Sequence, residues 1–189
     1  MVTAELSTRD RIDRTALRLF AEKGVDQTTT KDLAAGAGIA EGTLYRHYSG
    51  KDEMIWRLFS AHYAALAAEL DRLAAREGPL DAKIGAMVHV FCALYDSDPD
   101  VFRFLFLVQH GQLARVPADM RTPVRVVRDV IAAGIARGDV PPQDPDLATA
   151  MVFGVVTQPA VFKIYGSMKT PLSEHAEAMA AACRRILQV

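Results

Sequence analysis

Residues 28 to 51 read TTTKDLAAGAGIAEGTLYRHYSGK, and this stretch decides the fold. Thr29 followed by Asp32 has the spacing of a capping box, with Asp in place of the usual Glu or Gln, so a helix opens here. That helix carries Leu33, Ala34 and Ala37 inward; Gly38 ends it and Ile39 plugs the turn into the core. A second helix follows over about Ala40 to His47. It buries Leu44 and presents Glu41, Gly42, Thr43, Tyr45, Arg46 and His47. Ser49 and Asp52 have the spacing of a further capping box, which opens another helix at Lys51. Two short helices joined by a tight turn, the second polar and aromatic-bearing, have the layout of a helix-turn-helix.

The outward residues fit a duplex in the major groove. Gly42 removes a side chain where a helix must approach sugar-phosphate closely. Tyr45 and His47 can donate to phosphates, and Thr43 can meet a thymine methyl or a base edge. Lys51 stands at a helix start whose free N–H groups suit a phosphate. Lys31 and Arg46 complete the candidate set. The bland alternative is a structural hairpin with an exposed Tyr-x-His. Against it stand the inward plugs, the glycine, the two caps and a donor cluster without an apolar outward face.

Bulk charge gives no help. The 189 residues carry a net charge of −1, and in the first fifty, seven cations are matched by seven carboxylates. Recognition of nucleic acid must rest on where groups point. Half of the chain is hydrophobic, ample for a packed core. Cys92 and Cys183 lie far apart in apolar helical surroundings with no zinc spacing, which points to reduced structural thiols. The opening residues MVTAELSTRDR lack the apolar segment of a leader peptide. No apolar run approaches the roughly 18 residues a bilayer span needs. The expectation is a cytoplasmic protein with no membrane association.

Helical punctuation recurs and strand signals are almost absent. Asp98-Pro99, Thr122-Pro123, Asp144-Pro145 and Thr170-Pro171 each pair a capping residue with a proline suited to the first helical position. Ile12, Ala16, Leu19 and Phe20 mark a first helix ended by Gly24. A long helix runs from about Lys51 to Arg76, and Leu80 to Tyr95 marks the next. Val101 to Val108 fits a buried strand on pattern alone, but its Asp-Pro start favours a buried helix. Helices follow near 123–137, 145–165 and 171–187, with Pro159 inside the penultimate one as a kink or as a shaper of a cavity.

Gly24, Leu33-Ala34, Ala37-Gly38-Ile39, Gly42, Leu44-Tyr45, His47-Tyr48 and Lys51 together resemble the DNA-binding domain of TetR-type bacterial transcriptional regulators. The resemblance is specific over residues 9 to about 60. It implies an all-α fold: an N-terminal three-helix helix-turn-helix domain (1–52) and a C-terminal helical effector-binding and dimerisation domain (79–189), joined by the long helix 51–76. It also implies DNA-contacting roles for Thr30, Thr43, Tyr45, His47 and Lys51, with Glu41 and Gly42 on the same face. In this family the last two helices usually pair with a partner's as a four-helix bundle. Three departures stand out. Ala40 replaces a frequent Ser, and Gly36 within the second helix should weaken it by about 1 kcal/mol relative to Ala. Glu41 is acidic where many relatives are basic or small; it repels phosphate and can accept from a cytosine amino group.

The C-terminal region is rich in apolar residues. Met87, Phe91, Tyr95, Phe102, Phe106, Met151 and Phe162, with His110 and Gln158 as polar groups, either line an effector pocket or fill the core. Ala148, Gly154, Ala176 and Ala180 with Val152, Val155, Cys183 and Leu187 suit close packing, against a two-fold mate or within the chain. No catalytic constellation, cofactor motif or metal spacing is present, and no enzyme is expected. The expected protein is a homodimeric regulator. It would be a repressor released from a near-palindromic double-stranded DNA operator by a small, largely apolar effector, with an activator as the neighbouring reading. The alternative is a helical small-molecule sensor or carrier that has lost DNA binding.

Overall fold

The computed structural model describes residues 7–189. The leader-peptide expectation rests partly on residues 1–6, which lie outside the described residues. Among the described residues there are nine α-helices and no strand. They are α1 (Thr8–Lys23), α2 (Thr30–Ala37), α3 (Glu41–His47), α4 (Lys51–Ala74), α5 (Leu80–Ser97), α6 (Pro99–Gln112), α7 (Pro123–Arg137), α8 (Pro145–Ile164) and α9 (Ala176–Leu187).

The helices begin where local chemistry satisfies their first N–H groups. Ser7 and Asp10 form a reciprocal capping box at α1, and Thr29 and Asp32 do the same at α2. Prolines open α6, α7 and α8 as the sequence indicates. Val101–Val108 accordingly lies within a helix. At Lys51 the expected pairing is corrected. Ser49 donates through both its N–H and its hydroxyl to Glu53, at 2.6 and 2.7 Å, while Asp52 pairs with Arg115. The helix start falls after Gly50, so the carboxylate three residues into the helix is Glu53.

The fourth proline, Pro171, opens a 3-10 turn (Leu172–His175) and not the α-helix, which starts at Ala176. The cause is a tie to α5: Asp96 accepts from the backbone N–H groups of Leu172 and Ser173 at 2.9 and 2.8 Å. Burial pushes the Asp96 carboxyl up, but the bonds from Ser173 and Leu172 and the nearby Lys163 outweigh it and hold the group below its ordinary 3.8. The Asp96 contribution is therefore complete above that value and is lost as pH falls through the lower folded-state value. Asp96→Ala is expected to cost about 1 kcal/mol, the size of a capping contact with solvent screening. Urea denaturation at pH 7 and at pH 3 checks this, the wild-type advantage shrinking at the lower pH.

Two compact units emerge: residues 7–62 with 100–118, and residues 63–99 with 119–189. The first unit is held by Ile12, Ala16 and Phe20 from α1, Leu33 from α2, Leu44 from α3, and Met54 and Phe59 from α4, all buried. Phe104 of α6 joins them, its ring stacked on Phe20 with centroids 5.7 Å apart. Here the structure departs from a division at Gly78–Pro79. Residues 100–118, read as part of the C-terminal region, pack with the N-terminal helices because Phe104 is spent on that core. Gly36 also differs from expectation. A Cβ there would lie 2.7 Å from Thr15 Cγ2, so the close approach of α1 and α2 offsets the gain in helix propensity that Ala would bring.

In the second unit α5 packs on α9 and α8, and α7 on α8. Ala148, Val152, Val156 and Ala160 form the inward stripe of α8. Ala176, Ala180, Cys183 and Leu187 do the same for α9. Most of the small residues read as suited to a two-fold mate are therefore used within the chain. Cys92 and Cys183 are free and buried, and burial pushes each thiol up to about 11. The expectation that no run is long enough to span a bilayer is corrected for α8. It is 20 residues long with a mean hydropathy of 1.5 over its most apolar window. Thr149, Thr157 and Gln158 interrupt the run without lowering its average far. Only 28% of that window is buried. Leu147, Met151, Phe162 and Tyr165 stand exposed.

Candidate nucleic-acid interface

The second helix of the helix-turn-helix has one anchor. Leu44 is buried, while Glu41, Gly42, Tyr45 and Arg46 are exposed and Thr43 and His47 half-buried. Tyr45 keeps 52% of its surface open. Gly38, in the left-handed conformation (φ 65°), ends α2; its N–H and that of Ile39 return to the carbonyls of Ala35 and Ala34. Ala40 precedes α3 without a side-chain cap, as expected for an alanine. At Gly42 a Cβ would meet nothing within 4 Å. The packing of the chain does not require the glycine.

The far end of α3 is fastened by Tyr48, a residue to which the sequence pattern assigned no role. Tyr48 is buried, and its N–H bonds to the Leu44 carbonyl at 3.0 Å. Its hydroxyl donates to Asp13 and accepts from Arg9 at 3.2 Å. The guanidinium groups of Arg9 and Arg57 lie 5.0 and 5.7 Å from the ring centroid. Burial, then the Asp13 carboxylate, push the phenol well above its ordinary range. Tyr48 thus fixes the α3 axis on α1. The signal available was the spacing of Arg9 and Asp13 on one face of α1.

Lys51 has another use than the phosphate contact assigned to it. Its ammonium donates to the carbonyls of Val25 and Thr28 at 2.9 and 3.1 Å and so ties the loop between α1 and α2 to the start of α4. Thr30, half-buried, donates to Glu41 Oε1 at 2.7 Å. Lys31 and Arg46 are exposed and form no ion pair among the described residues. Most carboxylates of this segment are occupied: Asp10 by Ser7, Asp13 by Tyr48 and Arg9, Glu22 by Arg18, and Asp32 by Thr29. The Thr29 N–H and hydroxyl hold the Asp32 carboxyl below its ordinary value. Neutral bulk charge coexists with unpaired cations beside α3.

Of the apolar candidates in the C-terminal region, two share a cavity. It measures about 40 Å³, lies in the second unit, and is lined by Met87 and Phe91 together with Leu66, Leu70, Val127 and Val152. The other candidates are placed elsewhere. Tyr95 is buried with the Lys163 ammonium 5.8 Å above its ring. Phe102 stacks on Phe106 at 4.8 Å within α6, where His110 is exposed. Met151, Gln158 and Phe162 face outward from α8. The physical reason is the register of α8, whose inward positions are taken by Ala148, Val152, Val156 and Ala160.

The geometry is that of a helix-turn-helix with an exposed polar face on its second helix, within an all-helical fold. Residues 12–58 match the sequence model of bacterial regulatory proteins, tetR family. The HTH-type transcriptional repressor KstR2 of Mycobacterium tuberculosis is 35% identical over 89 residues, 47% of this chain and 44% of that protein. The HTH-type transcriptional regulator TcmR of Streptomyces glaucescens is 34% identical over 91 residues, 48% of this chain and 40% of that protein. The matches thus span less than half the length of these curated relatives. The fold extends further: the transcriptional regulator FadR from Bacillus subtilis, solved in complex with stearoyl-CoA, superposes with a TM-score of 0.76 at 19% identity. That superposition covers 92% of this chain and 96% of that one. Over residues 12–58 the chain carries the DNA-binding segment characteristic of the tetR family of bacterial regulatory proteins.

Proposed function

We propose that the protein is a DNA-binding transcriptional regulator, a repressor that works as a homodimer and is released from its operator by a small, largely apolar effector. DNA binding belongs to the part up to about residue 52, and self-association and effector binding to the second unit. The observation that carries this reading is the outward face of α3, where Gly42 is not required by internal packing and Tyr45 is exposed. Two copies of α3 would dock in major grooves about one helical turn apart. The cavity of about 40 Å³ is far below the roughly 300–1,000 Å³ of ligand sites, so an effector must part the helices around Met87 and Phe91. Binding to the widened state alone is what shifts the equilibrium away from DNA. Similarity to a FadR that binds stearoyl-CoA supports an apolar effector. In that role the protein acts in the bacterial cytoplasm.

A mobility-shift titration against the DNA upstream of its own gene tests the reading. Wild type should bind with affinity falling steeply as salt rises. Tyr45→Ala should bind about tenfold more weakly or worse, having lost a hydrogen bond to a charged acceptor. Gly42→Ala should melt at or slightly above the wild-type temperature and still bind less tightly. Equal binding by all three proteins would refute the site.

A further inference from the structure

We propose that Glu41, braced by Thr30, reads a C·G base pair in each operator half-site by accepting from the cytosine amino group. This rests on the DNA-binding reading and adds to it the base that sets specificity. Residues at the start of a recognition helix are the ones that reach base edges, and Glu41 is the first residue of α3. A carboxylate there is repelled by the phosphates on both sides of the groove. No cation offsets it, since neither Lys31 nor Arg46 pairs with it among the described residues. Part of its presence is explained by the favourable interaction of an acid with a helix start, but any orientation of the side chain would serve that purpose.

The structure selects one orientation. Thr30 Oγ1 donates to Glu41 Oε1 at 2.7 Å, across eleven residues and from one helix to the next. Oε2 has no partner among the described residues. The hydroxyl spends its single hydrogen on this bond, so Thr30 cannot also donate to a phosphate. What remains at the groove is a fixed, acceptor-only oxygen.

An acceptor-only group needs a donor on the base. The major groove offers two, the amino groups of cytosine and adenine. Adenine sets its N7 acceptor beside its amino group, which a carboxylate oxygen would oppose. Cytosine presents its amino group with no acceptor of its own on that edge. The braced carboxylate therefore favours cytosine.

Selection of bound duplexes from a random pool, with wild type, Glu41→Ala, Glu41→Gln and Thr30→Val run in parallel and thermal midpoints recorded, decides the matter. Wild type should enrich cytosine at one position per half-site by about tenfold. Glu41→Ala should flatten that position alone and bind random DNA severalfold more tightly, a repulsion having been removed. Glu41→Gln should turn the preference toward adenine, because an amide matches the adjoining donor and acceptor. Thr30→Val should keep cytosine but reduce the enrichment to a fewfold. Identical enriched sequences for wild type and Glu41→Ala would overturn the proposal and leave DNA binding intact. A loss spread evenly over every position would do the same, showing only a brace between helices. Failure of wild type to enrich any sequence would overturn the DNA-binding reading itself.

Discussion

Replacing Phe104 by alanine is expected to lower the free energy of unfolding by about 3–5 kcal/mol, the range for a fully buried aromatic ring. Phe104 and Phe20 are both 0% exposed and stack at an interplanar angle of 22°. Truncation removes the transfer free energy of one ring, the ring-to-ring attraction and the packing around the void. Because α6 contributes this ring to the same unit as α1 to α3, the loss should appear in the stability of the helix-turn-helix. Hydrogen exchange would show it as faster opening of amides in α1. Phe106, half-buried on the other side of α6, supplies the control: its truncation should cost less than half as much. If Phe104→Ala shifts the urea midpoint no more than Phe106→Ala does, α6 is not part of the N-terminal core.

The parts of this fold that could be read from the sequence are those fixed by neighbours a few residues away. Thr29 and Asp32, Thr122-Pro123 and Asp144-Pro145 open helices where expected, because a cap is satisfied within one turn, and Pro99 opens α6 as a first-turn proline. Leu44 identifies the inward side of α3 because it stands alone among polar residues. Long-range partners could not be read. Lys51 reaches carbonyls 26 and 23 residues earlier, and nothing near it in sequence announces them. Gly36 looks like a flaw in α2 until Thr15 is placed beside it. Asp96 captures two N–H groups 76 and 77 residues later and so turns the expected start of α9 into a 3-10 turn. The outward placement of Met151, Gln158 and Phe162 could not be read for a different reason. α8 is apolar nearly all round, so its periodicity did not say which stripe turns inward. The small stripe did, and the large side chains were left outside.

That outward stripe gives the second large effect. Leu147, Met151, Gly154, Gln158, Phe162 and Tyr165 recur at intervals of three and four residues along α8, and all are exposed, Leu147 by 58% and Tyr165 by 78%. An exposed strip carrying four large apolar side chains, interrupted by Gln158, suits an interaction surface. The small Gly154 at its centre would let a second helix approach closely. Met151→Arg with Phe162→Asp is expected to convert a dimer into a monomer, as read by light scattering on a sizing column. Operator affinity should fall by about 10²–10⁴, because the second half-site is no longer held at high effective concentration. The fold of each protomer should survive, since neither side chain contributes to its core. A double variant that remains dimeric and binds DNA as before would show that α8 is covered by something other than a second copy, and the two half-sites would need another means of being joined.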